Sequence, residues 1–139
     1  MKEPTHIYPT HRCFDDAFEI IQDLIKYGVD PEALKLVHAL CRPDNVIVRI
    51  GEDKPGTIAH AWVEYSCDDS TVLCVFRGVL DGVTLTLTTD SEDYHDSIKP
   101  YNITSYSIDE AIKMNLEYEN LGPWVKEYCA WTLKILEGV

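Results

Sequence analysis

Thr57-Ile58-Ala59-His60-Ala61-Trp62-Val63-Glu64-Tyr65-Ser66 is the stretch on which the fold reading turns. Rich in β-branched and aromatic residues, it reads as a strand. The two-residue period of a strand puts His60, Trp62 and Glu64 on one side and Ala61 and Val63 on the other. Moving outward, Val46, Val48 and Ile50 alternate with Ile47 and Arg49 as a strand before a turn at Glu52–Gly56. Downstream, Asp68-Asp69-Ser70 reads as a hairpin turn and Thr71–Arg77 as a further strand bounded by Gly78. Asp81-Gly82 marks the next turn, and Val83–Thr89 alternates as a fourth strand.

Helical spacing flanks this meander. From Cys13 to Tyr27 the apolar residues Phe14, Ala17, Phe18, Ile21, Leu24 and Ile25 recur as one helical face. Asp15 and Asp16 suit the positive end of its dipole, and Gly28 suits the C′ position. Asp30-Pro31 reads as an N-cap with proline at N1, opening a short helix through Leu40. Residues 90–106 read as a long polar surface loop, in which Tyr94, His95, Tyr101 and Tyr106 could rim a groove for an extended peptide. Ser107 and Glu110 form a capping box that opens a helix over 108–121, stopped by Gly122-Pro123. A last helix is expected from Pro123 to Glu137, with Trp124, Tyr128, Trp131 and Leu133 facing the core. Residues 1–12 read as an irregular lead-in, and 1–139 as a single domain. The expected class is α+β: two N-terminal helices packed on a small antiparallel sheet, with two C-terminal helices.

Composition narrows the function. The 139 residues are 45% hydrophobic and 26% charged, which excludes a wholly disordered chain. Twelve Lys and Arg stand against 24 Asp and Glu, a net charge of −12. That charge argues against nucleic acid and anionic membranes as partners, and favours a basic peptide or protein. The carboxylates are interspersed with apolar residues, unlike the dense stripe of a polyanion mimic. No apolar run approaches the ~20 residues of a membrane helix. The stretch MKEPTHIYPTHR lacks the apolar core of a secretory signal. The five cysteines are odd in number and form no CxxC pair, so reduced thiols in a cytoplasmic setting are expected. No zinc spacing and no glycine-rich phosphate loop is present, so neither metal nor cofactor is expected.

Two segments can carry chemistry. Cys13 opens an amphipathic helix, where unpaired N–H groups and the dipole help a thiol to ionise. Arg12 would assist, and Asp15 and Asp16 would oppose. His60, on a rigid strand, is placed to act as a general base. A cysteine at a helix start followed by a strand histidine is a nucleophile–base arrangement.

The motif His60-Ala61-Trp62-Val63-Glu64, with its upstream helix-opening cysteine, resembles transglutaminase-like (papain-like) cysteine proteinases, closest in motif to the leader peptidases of lasso-peptide biosynthesis. The resemblance spans Cys13 to Gly78, about half the chain. It implies a papain-like fold, with Cys13 as nucleophile and His60 as base in a cysteine-dependent hydrolase or acyl-transferase acting on an amide or peptide bond. In that family an Asp from the strand after the histidine strand orients the imidazole. A turn at 68–70 places Phe76 or Arg77 across from Ala61, and neither can do so. Asp81 is ranked first for this role, reached through a shifted turn or a bulge, with Asn102 a remoter choice. Glu64 is expected to orient Trp62 or to pair with a cation. The N–H of Cys13 is the expected oxyanion donor. Tyr8 and His11 are candidate substrate contacts, and Trp62 a cleft wall. The missing acid keeps a second reading open: an inactive relative that binds a protein or peptide.

Overall fold

The computed structural model describes residues 8–9, 12–42 and 58–125. Strand β1 is Tyr8–Pro9, followed by helix α1 over Cys13–Lys26. The apolar stripe of α1 is buried at Ala17, Phe18, Ile20 and Ile21. Its end is a Schellman motif: Gly28 N–H donates to Ile25 O, Val29 N–H donates to Leu24 O, and Gly28 has φ +101°. Asp30 then caps Glu32 N–H, with Pro31 at N1 as expected, but the helix lasts one 3₁₀ turn, Pro31–Ala33.

The short helix expected through Leu40 is instead strand β2, Leu34–Cys41. All of its side chains but Lys35 are buried, so it is covered on both faces. That near-continuous apolar run belongs to a central strand, and periodicity alone does not separate it from a buried helix. Strand β3 is Ile58–Ser66 and β4 is Val72–Leu80. The Asp68 carboxylate closes the turn between them by accepting from the N–H groups of Ser70 and Thr71. Strand β5, Val83–Asp90, follows a two-residue turn in which Asp81 has φ 51° and Gly82 φ 80°, the primed geometry that suits strand twist.

The polar stretch 90–106 is not a loop. Asp90 caps helix α2, Ser91–Ile98, and Lys99 in the left-handed region ends it. Strand β6, Pro100–Tyr106, pairs with β2. Its register skips between His38 and Leu40, opposite Asn102 at φ 51°, as a β-bulge requires. The capping box of Ser107 and Glu110 opens helix α3, Ile108–Tyr118, which ends at Glu119 in the left-handed region, before the expected Gly122-Pro123 stop. Pro123–Val125 are not helical, and the rest of the expected last helix lies outside the described residues, as do the strand over 46–50 and most of the lead-in.

The result is a mixed α/β fold around a six-stranded antiparallel sheet of order β1-β4-β3-β2-β6, with β5 on β4. Strand β5 takes one edge of β4 from Leu73 to Leu80. The other edge is shared: β3 pairs with Val72–Val75, and β1 pairs with Gly78 and Val79. The ladder between β3 and β4 therefore stops at Val63 and Val75, and the first half of β3 is not paired to β4. Arg77, just past that point, reaches α1 instead, with ion pairs of 3.3 Å to Asp16 and 3.0 Å to Glu19.

Each face of the sheet has its own core. Under α1 lie Leu34, Leu36, Ala61, Val63, Val75 and Tyr106. On the other face Val37, Ala39, Cys41, Trp62 and Cys74 pack with Tyr94 of α2. Gly122 closes the first core. A Cβ there would stand 2.7 Å from His38 Cε1 and 2.9 Å from Phe14 Cδ1, at φ +115°. Gly122→Ala is expected to cost roughly 2–4 kcal/mol through overpacking and a strained φ. Urea unfolding checks this: a midpoint equal to wild type would contradict the contact.

Candidate active site

Cys13 is the first residue of α1, and its side chain is half-buried. The thiol donates to Ala59 O at 3.9 Å, and the N–H groups of Ala61, Phe14 and Cys13 itself favour an anion at the sulfur. The sulfur thus sits against the peptides on either side of His60, at the edge of β3 that β4 has left. The sequence implies a thiol helped to ionise, and the structure reverses this. Burial outweighs the N–H donors, and the Asp16 carboxylate adds to it, so the thiol is pushed up to about 12. Arg12, exposed, pairs with Asp15 at 3.7 Å.

His60 is 4% exposed and lies on the opposite face from α1, stacked on Trp62 with ring centroids 5.6 Å apart. Its Nε2 is 2.6 Å from the Tyr94 hydroxyl, and its Nδ1 is buried without a partner among the described residues. Burial lowers its pKa to about 4. No hydrogen bond joins the Cys13 sulfur to this ring among the described residues.

The residue that orients His60 is therefore Tyr94, not Asp81. Asp81 is exposed in the β4–β5 turn, where its positive φ serves the hairpin, and neither ring nitrogen of His60 meets it. Asn102 is exposed at the β6 bulge. Trp62 is no cleft wall: it is wholly buried, and its indole N–H donates to Glu64 Oε2 at 3.0 Å. Glu64 does what its position implied, holding Trp62 and also facing His95 Nε2 at 3.1 Å. Tyr8 is placed only as a backbone position opposite Val79, and His11 lies outside the described residues. The proposed tyrosine-rimmed groove does not form, because Tyr94 and Tyr106 are buried in the cores on opposite faces.

Comparison with protein-family models, curated proteins and solved structures finds no match to this chain. The site must therefore be read from its own chemistry.

The sequence reading passed over His38. It lies opposite Ala61 on the face under α1, fully buried, with neither ring nitrogen partnered among the described residues. Phe14, Tyr106 and Trp124 enclose it at centroid distances of 4.7, 5.1 and 4.9 Å. Burial, with a smaller contribution from His60, lowers its pKa to about 3. Tyr94 was missed as a partner because it belongs to a helix read as loop. The Asp90 cap two residues before the Glu92-Asp93 pair was the signal for that helix.

Proposed function

We propose that this protein is a cysteine-dependent hydrolase or acyl-transferase of papain-like or transglutaminase-like type, with Cys13 as nucleophile, His60 as base and Tyr94 as the residue that orients the base. The observation that carries the reading is the state of the His60 ring: one nitrogen held by a buried hydroxyl, the other bare, on the strand whose flanking peptides receive the Cys13 sulfur. For Nδ1 to act as base, Nε2 carries the hydrogen and donates to the Tyr94 oxygen. The phenol is kept neutral, since burial raises its pKa well above the ordinary value. It fixes the ring without supplying the negative charge a carboxylate would place beside an imidazolium.

In the proposed step the Cys13 side chain turns from its long contact with Ala59 O toward Nδ1. The thiol proton passes to Nδ1 as sulfur bonds to the substrate carbonyl carbon, and the carbonyl electron pair moves to oxygen. Collapse of that intermediate breaks the carbon–nitrogen bond, and the Nδ1 proton leaves with the amine. Water or a second amine then takes the acyl group by the same path in reverse. Because thiol and imidazole are both held neutral, proton transfer accompanies attack instead of preceding it.

Those same two shifts favour a second reading, an inactive relative that binds a peptide or protein through its acidic surface. Acylation by p-nitrophenyl acetate, located by peptide mass spectrometry, separates the two. The exposed Cys67 is the internal reference. In the enzyme reading Cys13 is acylated well ahead of Cys67. His60→Ala slows Cys13 by about 10²–10⁴-fold, and Tyr94→Phe slows it by less. Equal rates at Cys13 and Cys67, unchanged by His60→Ala, would remove the enzyme reading and leave the binding module.

A further inference from the structure

On the His60 face lies a second group of reactive side chains that the proposed chemistry does not use. Glu64 of β3 and Cys74 of β4 are direct cross-strand partners and so stand on the same face. His95 of α2 comes down on them from above, its Nε2 3.1 Å from Glu64 Oε2. One ligand atom from each of the three residues lies within 4.8 Å of the other two. Among the described residues this is the group with such geometry.

We infer that Glu64, Cys74 and His95 bind a zinc ion, with the fourth position left to water or a small ligand. Ligand atoms at zinc bond lengths of ~2.0–2.3 Å lie roughly 3.5 Å apart around a tetrahedron, so the widest separation here needs to close by about 1 Å. His95, half-buried at the end of a flexible side chain, can supply that movement. The donor set selects the metal. A thiolate with an imidazole favours zinc over magnesium or calcium, which require oxygen ligands. Charge also favours it. Cys74 releases its proton to solvent on binding, and one carboxylate plus one thiolate then balance a divalent cation inside a part-buried site. The site already has an outer shell, because the Trp62 N–H holds the ligating carboxylate at 3.0 Å.

This inference stands apart from the Cys13 reading, and its test uses neither Cys13 nor an activity. The full chain is stripped with chelator, exposed to zinc and passed through a desalting column, and retained metal is measured. Cobalt(II) in place of zinc reports the ligands, through a thiolate-to-metal charge-transfer band and intense visible absorption for a tetrahedral site. The expected result is one retained equivalent, a thiolate band, and binding weakened roughly tenfold or more in His95→Gln. His95 is outside the cores, so far-UV circular dichroism should show this variant folded. Cys74→Ser should lose the thiolate band, and Cys13→Ala should keep it. No retained zinc in the wild type, equal retention by folded His95→Gln, or a cobalt spectrum without the thiolate band overturns the assignment.

Discussion

Lowering the pH from 7.5 to 4.5 is expected to destabilise the protein steeply, before its carboxylates take part. His38 and His60 carry the effect. In the unfolded chain each takes up a proton near pH 6.5, but in the folded chain burial delays this to about 3 and about 4. Between those values the unfolded state binds more protons, so stability rises with pH across the window. The contribution of the two neutral rings is fully present above about pH 6.5 and is lost as pH falls toward 4 and then 3. Each is worth on the order of a few kcal/mol, since one pKa unit corresponds to about 1.4 kcal/mol. Carboxylates held low by hydrogen bonds, such as Asp68 and Glu110, lose their contribution only at more acidic pH. Urea unfolding midpoints at half-unit steps of pH provide the measurement. His38→Leu, which removes two unpartnered ring nitrogens from the aromatic enclosure, should flatten the slope and raise stability at pH 5. A wild-type midpoint that stays level from 7.5 to 4.5 would contradict the burial of both rings.

Trp62→Ala is expected to have the largest effect of any single truncation. Trp62 is among the largest wholly buried side chains, and it meets His60, Tyr94 and His95 at centroid distances of 5.6, 5.6 and 5.9 Å. Removing it leaves a cavity between sheet and α2 and takes the donor away from Glu64. Losses of this type run at about 3–5 kcal/mol, a fall in Tm of roughly 10–20 °C for a chain of this size. Trp62→Phe separates the two contributions: it refills most of the space but leaves the carboxylate without its indole partner, at a cost of about 1–2 kcal/mol. Thermal melts of both variants, with metal absent, check the prediction. A Trp62→Ala protein within a few degrees of wild type would contradict the packing.

What the sequence disclosed and what it hid follow from how each segment is held. The stretch 57–66 was legible because one apolar face alternates with another of mixed character. Helix α1 was legible because its stripe and its Gly28 end are both local signals. Strand β2 was not, because a strand covered on both sides loses its two-residue period, and Asp30-Pro31 supplied a true helix start that stops after one turn. Helix α2 and strand β6 were hidden for the opposite reason. Tyr94 is the only buried residue of the helix, and Tyr106 the only buried residue of β6, so little apolar pattern marks either. At the site, the sides taken by His60, Trp62 and Glu64 were readable from the pleat alone. The Glu64–Cys74 pairing was within reach too, once the turn at 68–70 fixed the register. The roles of Tyr94, His95 and His38 were not read, because each depends on an element that the apolar pattern alone does not identify.

Tyr94 and His95 are consecutive residues of one short helix, and they serve two different neighbourhoods: the imidazole of His60 and the carboxylate of Glu64. Neighbouring residues on a helix point about 100° apart, so a single seating of α2 sets both aims at once. A one-residue insertion between Asp90 and Tyr94 would turn both side chains away together, whereas a substitution at either position would disturb one alone. The two neighbourhoods are therefore bound to a common fate under insertion and deletion, and separable only by point substitution.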